Sequence, residues 1–514
     1  MKKVSKVLLG VTVLMLSAAL CACGGGKKNE SSETANSSST ETTHEGFIFG
    51  MTQEVTSVDP HMDTDAATRG VLFNVFEGLV KATPEGDVKP AVASEYTVSD
   101  DATVYTFTVR DGITFHDGNA VTPEDIKYSL ERSAEIDGES SALSAISDIA
   151  IPDDKTVVLT LSAPDSEFIY NLTIAILEQA NDANQGTAPV GTGPFAIKEL
   201  KEGQYLDLVK YDGYWDAAAL GDYIPSARFK FISDAQTAFM ELKGGSIDAL
   251  QYLTSDQINT LGDEYNVVEA TMMLVHGLFL NNQYEPLQDA RVRQALNYAI
   301  DRDQINEMMF GGKSQLIQTH GYPTITAWYN ADTESTYTHD VDKAKELLAE
   351  AGYEGGFDLE ITVPSSYTQH VQTAEIIADQ FSQIGVNVTL NQVEWSSWLE
   401  DVYRGRNYQA TVIGFDISSL SPATWYKRYY STSSNDMTNF SNADYDAAYE
   451  AALATIDHEE KHSLYGQMQQ ILAEQGASVF IEDPADFIAI NSKYTGYTTY
   501  PVSAIDLSLV KVAQ

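Results

Sequence analysis

The chain has 514 residues, with 31 Lys plus Arg against 74 Asp plus Glu, a formal net charge of -43, 43% hydrophobic residues and 20% charged residues. That length exceeds what one hydrophobic core usually serves, so two or more lobes are expected, and the composition excludes fibrous and low-complexity classes. A surface so anionic repels phosphate backbones, which excludes nucleic acid as a partner.

Lys2, Lys3 and Lys6 precede an uncharged, mostly apolar run from Val7 to Leu20. Its length suits the h-region of an export signal and is too short for a spanning helix, which needs about 20 residues. Leu20-Cys21-Ala22-Cys23-Gly24 resembles the bacterial lipobox, with Leu at −3 and a small residue before the acceptor. Cys23 fits as the lipidated residue. Cys21 does not, because bulky Leu20 precedes it. Residues 1–22 are then the leader, and Cys23 is the only cysteine of the mature chain, so disulfides and cysteine metal clusters are excluded. Residues 24–45 contain no aliphatic or aromatic core residue larger than Ala, so residues 23–45 are expected to be a lipidated Cys followed by a flexible tether.

Folded sequence is expected from Phe47. Val104 to Arg110 alternates as a strand, Asp117-Gly118 supplies a turn, and Thr122-Pro123-Glu124-Asp125 reads as the capped start of a helix through Glu131. Val292, Ala295, Leu296, Ala299 and Ile300 form one apolar stripe of a helix starting near Asp289. Ala344, Leu347, Leu348 and Ala351 repeat the pattern before Gly352. Phe357 to Val363 alternates as a strand, a helix is expected over about Gln369 to Ile384, and Val386, Val388 and Leu390 alternate again after Gly385. Both periodicities recur throughout, so the fold class is α/β or α+β.

Enzyme motifs find little support. His458-Glu459-Glu460-Lys461-His462 satisfies the H-E-x-x-H spacing of zinc hydrolases, but Asp457 reads as an N-cap, which puts the string in an exposed first turn. Phe310 to Ser314 ends like a phosphate loop, yet Glu307 stands where its first glycine is required. No nucleophile elbow or dinucleotide fingerprint occurs, and no cofactor or metal is expected.

A series of short strings runs along nearly the whole chain in one order. It comprises Val58-Asp59-Pro60-His61, Phe76-Glu77-Gly78-Leu79-Val80, Tyr105 to Arg110, Phe115-His116-Asp117-Gly118, Pro189 to Phe195, Tyr214-Trp215, Leu242 to Asp248, Asn281, Arg291 to Arg302, Ala344 to Tyr353, Ile384-Gly385-Val386, Glu394-Trp395 and Gly414-Phe415. In this order they resemble the extracytoplasmic solute-binding proteins, family 5, of peptide and nickel ABC importers. The resemblance implies a two-lobed, periplasmic-binding-protein-like α/β fold of the Venus-flytrap kind, class II type, with an extra subdomain in the first lobe and the ligand cleft between lobes. Expected boundaries are 46–77, 189–275 and 484–514 for the first lobe, 78–188 for the extra subdomain and 276–483 for the second lobe. Leu274 to Asn281 and Val479 to Glu482 are the candidate crossovers. It further implies a monomer on the outer face of the cytoplasmic membrane, working with permease and ATPase subunits.

In peptide-binding relatives the signature loop is Gly-Trp, two residues, then an Asp that pairs with the ligand's α-ammonium group. Here the loop is Gly414-Phe415-Asp416-Ile417-Ser418, so Ser418 stands at the acidic position and Asp416 takes its role only if the loop is presented differently. The resemblance also points to Thr64 and Trp395 as cleft residues. Trp425, Tyr426 and Tyr430 are candidates for an aromatic wall, with Lys427 and Arg428 the nearest cations for a ligand carboxylate. Three readings follow: a short-peptide receptor, the same receptor for a metal–chelator complex, sugar or opine-like solute, and a surface zinc hydrolase using His458 and His462.

Overall fold

The computed structural model of the protein describes residues 46–513, apart from 63–64, 138–140, 319–322, 324–327, 334–335, 417–419 and 435. Two sheets dominate it. The first has the order β3 (Tyr265–Thr271), β9 (Ala485–Asn491), β2 (Ala249–Leu253), β1 (Phe47–Met51), then Ser226–Phe231, Tyr205–Lys210 and Phe195–Lys201. The second has the order Gln315–Leu316, β8 (Val479–Asp483), β4 (Leu274–Leu280), β7 (Ala410–Asp416), β5 (Phe357–Pro364) and β6 (Val386–Val393).

The central strands are near-continuous apolar runs because both faces are covered. In β4, Val275 and Phe279 pack into one cluster with Phe415 and Phe480. Leu278 and Leu280 pack on the opposite face with Ile361, Val412 and Ile481. A third sheet, of Ala93–Val98, Val104–Val109, Thr156–Leu161 and Ile146–Asp153, behaves differently. Its strands Val104–Val109 and Thr156–Leu161 alternate half-buried and buried positions, and the covered face packs on the helix Pro123–Asp137. That helix starts where the sequence predicts, with Asp125 N–H donating to Thr122 Oγ1 at 3.2 Å, and runs six residues beyond Glu131. The helix Ala290–Ala299 is capped by Asp289, which accepts from Arg291 N–H at 2.9 Å.

The chain passes between the two large sheets at two places. It leaves β3 at Thr271 and enters β4 at Leu274, and it leaves β8 at Asp483 and enters β9 at Ala485. The segments expected as crossovers, Leu274 to Asn281 and Val479 to Glu482, are therefore strands of the second sheet, and the switches themselves are Met272-Met273 and Pro484. Proline ends the β8 ladder because it has no N–H to donate. The switches are tied together: Met272 N–H donates to Pro484 O at 2.8 Å, and Leu274 N–H to Asp483 Oδ1 at 3.0 Å. The segment after the third sheet also meets the helices that lie between β7 and β8. Ser166 N–H donates to Leu453 O at 2.9 Å, and Lys461 Nζ lies 2.8 Å from Glu167 Oε1, both side chains buried.

Candidate functional site

Strand direction decides where a site can form. β1 runs parallel to β2, and β2 and β3 both run antiparallel to β9, so Met51, Leu253 and Thr271 end on one edge. In the second sheet β5 is parallel to β6 and β7, and β4 begins opposite the end of β7. The first crossover thus joins the carboxyl edges of both sheets. In open α/β sheets ligands bind outside such edges, where loops are free to carry chemistry.

On the second sheet this edge is aromatic. Tyr367 follows β5 and Trp395 follows β6, and their ring centroids lie 5.3 Å apart. Trp395 stacks on Trp398 at 5.1 Å with an interplanar angle of 5°. The two tryptophans have different tasks. Trp398 is 1% exposed and donates its Nε1–H to Thr411 Oγ1 at 2.9 Å, whereas Trp395 is 37% exposed.

Beneath this wall lies a buried polar line. Tyr367 stacks on His370 at 5.4 Å, and Nδ1 of His370 is 3.1 Å from Nε2 of His276. His276 Nδ1 in turn lies 3.7 Å from Glu482 Oε1, and both of these residues are 0% exposed. Burial holds the His276 imidazole down at about 4 and, with the neighbouring imidazole, that of His370 at about 3. It pushes the Glu482 carboxyl up to about 7, offset only in part by the Ser314 side chain. The line is therefore kept nearly neutral, as a low-dielectric site requires.

The first sheet contributes a cavity of about 110 Å³ against the Met272-Met273 crossover, lined among others by Phe49, Tyr252, Tyr497, Tyr500, Met273 and Asp486. Asp486 is 2% exposed and accepts from Gln251 Nε2 at 2.6 Å and from Tyr252 N–H at 3.1 Å. Burial raises its carboxyl to about 6. A second cavity, of about 380 Å³, shares Val502 and Ser503 with the first and reaches Leu420, just beyond the signature loop. Of the acids that line it, Glu77 is already neutralised by Lys81 at 3.0 Å and held by Tyr214 and Trp215.

Of the residues singled out in sequence, Trp395 and Gly414 lie at this edge. Gly414 sits beside His370, whose Cε1 is 3.5 Å from where a Cβ on Gly414 would lie. Asp416 ends β7, its backbone paired with Leu274. Phe415 and Trp425 are buried in the core on one face of the second sheet, Phe415 edge-on to Phe279 and Trp425 against Phe480. Arg428 lies 4.1 Å over the Phe415 ring. Thr64, Ser418 and Cys23 lie outside the described residues. His458 and His462 are exposed in the first two turns of the helix His458–Gln475, which Asp457 caps through Glu460 N–H at 2.9 Å. Among the described residues no group of three or more His, Cys, Asp or Glu side chains is arranged to hold a metal ion.

Sequence reading missed His276, His370, Glu482 and Asp486. A signal existed for the acids: Val479-Phe-Ile-Glu-Asp-Pro-Ala-Asp-Phe-Ile-Ala-Ile490 places three carboxylates inside an otherwise apolar run, where charge is costly unless used.

The family described as Bacterial extracellular solute-binding proteins, family 5 Middle, matches residues 87–437. Among curated relatives, the chain is 26% identical over 543 residues to the oligopeptide-binding protein AppA of Bacillus subtilis, covering 98% of this chain and 97% of the relative. It is 25% identical over 456 residues to heme-binding protein A of Haemophilus influenzae, covering 81% and 82%. Among solved structures, the binding protein AgaA of A. tumefaciens R10 in complex with agropinic acid superposes with a TM-score of 0.72 at 29% identity, covering 91% of this chain and 99% of that one. The chain belongs to the family 5 extracellular solute-binding proteins, which are receptors and not enzymes. No helix among the described residues is long and apolar enough to cross a membrane.

Proposed function

From this membership we propose that the chain is the lipid-anchored receptor of an ABC importer. Tethered by Cys23 at the outer face of the bacterial cytoplasmic membrane, it closes as a monomer on short peptides and delivers them to the permease. The first lobe comprises 46–77, 189–275 and 484–514, the extra subdomain 78–188 and the second lobe 276–483, except that Leu274 and Val275 go with the second lobe because they open β4.

The observation that carries this reading is the pair of crossovers, Met272-Met273 and Pro484, bonded to each other and placed at the carboxyl edges of both sheets. Two short linkers allow one sheet to rotate against the other, and a solute touching both favours the closed arrangement. The partly exposed Trp395 and Tyr367 offer flat apolar surface that tolerates varied side chains. The peptide assignment is supported by the near full-length likeness to an oligopeptide-binding protein. A non-peptide solute is the second reading, favoured by Ser418 in place of an acid in the signature loop and by relatives named for heme and agropinic acid.

Native mass spectrometry of the protein purified without denaturation separates the two. A ladder of heterogeneous short peptides supports the first, and a single non-peptide mass supports the second. The anchor is tested by metabolic labelling with palmitate: label is expected in the native chain and absent from Cys23→Ala, and equal label in both removes Cys23 as the acceptor.

A further inference from the structure

Five buried acids of this protein are matched by a cation. Asp59 is held by Arg132, Glu77 by Lys81, Glu167 by Lys461, Asp207 by Arg228 and Asp248 by Lys493, all within 3.0 Å. Asp486 is as deeply buried as these, yet among the described residues no Lys, Arg or His bridges to it. Its oxygens take neutral donors, the Gln251 amide and the Tyr252 N–H among them. Unlike those five, it forms part of the wall of the cavity at the crossover.

The surroundings are arranged to keep it available. Tyr252 has a left-handed backbone, φ 62°, a conformation costly for a residue with a side chain. That conformation accompanies the Tyr252 N–H bond to Asp486 Oδ1, and Tyr252, 59% exposed as a residue, lines the cavity. Phe49, Tyr497 and Tyr500 supply further aromatic surface. A carboxylate at the base of an aromatic cage is chemistry suited to a cation, which gains a charge-assisted hydrogen bond and the faces of the rings. The cavity, at about 110 Å³, is below the size of a pocket for a whole small molecule, about 300 Å³ or more, and near that of a cavity of roughly 150 Å³ that holds benzene. It accommodates one end group of a larger solute.

We propose that Asp486 is the cation anchor of the solute site: a protonated amine of the bound solute enters the cavity beside Met273 and pairs with the Asp486 carboxylate, supplying a positive charge that none of the described residues supplies. This rests on the solute-receptor reading above and deepens it, naming solutes with a cationic end as the class preferred. It places the anchor in β9, two residues past the second crossover, and not on the Gly414 to Ser418 loop.

The test uses the purified full-length chain and two pools of peptides from a casein digest, one untreated and one with its amines acetylated. Retained peptides are identified by mass spectrometry after dialysis. The wild type is expected to retain untreated peptides at least tenfold over acetylated ones, Asp486→Asn to reduce that ratio below twofold, and Asp416→Asn to leave it unchanged. Equal retention of both pools by the wild type overturns the proposal, as does an unchanged ratio in Asp486→Asn or its loss in Asp416→Asn alone. Asparagine keeps the shape and removes a buried charge, so melting at pH 8 at or above the wild-type value separates a lost anchor from a lost fold. If neither pool is retained, the peptide reading fails by itself, and the anchor is judged with putrescine, agmatine and choline against 1,4-butanediol in thermal shift. A rise with any of the cations in wild type but not in Asp486→Asn upholds the anchor, and the absence of such a rise overturns it.

Discussion

Glu482→Gln tests whether burial, and not pairing, governs the polar line at the crossover. Glu482 is 0% exposed at the end of β8, opposite His276. Its carboxyl is raised from 4.5 to about 7 because the interior disfavours the charged form. The folded state therefore binds this proton more tightly than the unfolded chain does. Its stabilising contribution is complete below about pH 4.5 and is lost as pH rises through about 7, a loss of about 3 kcal/mol at 1.36 kcal/mol per pH unit. Glutamine keeps the volume and does not titrate. The His276 and His370 imidazoles, held at about 4 and about 3, impose the opposite slope, losing stability as pH falls below their ordinary range, but they do so in both proteins and cancel in the difference. The variant is expected to match the wild type within about 1 kcal/mol at pH 4.5 and to exceed it by up to about 3 kcal/mol at pH 8. Urea unfolding followed by tryptophan fluorescence at pH 4.5, 6 and 8 measures this directly. A difference that does not change with pH, or a variant weaker than wild type at pH 8, would refute the argument and show that His276 carries the proton in an ion pair.

Lys461→Met removes the cation from Glu167 at a contact where both side chains are buried, and is expected to cost about 3–5 kcal/mol, with most of it recovered in Lys461→Met/Glu167→Gln; denaturant midpoints that fail to recover would show that packing of the lysine stem matters more than its charge. Trp395→Ala is expected to weaken solute binding with melting nearly unchanged, because the ring is 37% exposed. Trp398→Ala is expected to destabilise by about 3–5 kcal/mol, since it empties a core position and strands Thr411 Oγ1. Equal stability losses in the two tryptophan variants would contradict the division of labour between them.

Local pattern made much of the scaffold legible. The alternation in Val104–Val109, the Asp289-capped helix Ala290–Ala299 and the strand, helix and strand of Phe357–Pro364, Thr368–Ser382 and Val386–Val393 lie where periodicity and capping residues put them, because backbone period and caps are short-range properties. The order of motifs along the chain was also enough to indicate the family. Tertiary structure alone decided which residues meet. His276 and His370 are 94 positions apart and come within hydrogen-bond distance only because β4 and the helix after β5 converge beside Gly414. Trp395 and Trp398 are indistinguishable as letters, and packing against Thr411 determined which one is buried. The crossovers fall at Met272-Met273 and Pro484, not in the adjacent apolar strands, because hydrophobicity records that a strand is buried and not which sheet receives it. Asp486 is conspicuous in sequence only as a charge in an apolar run; that no cation among the described residues bridges to it is a property of the space around it, which three-dimensional packing creates.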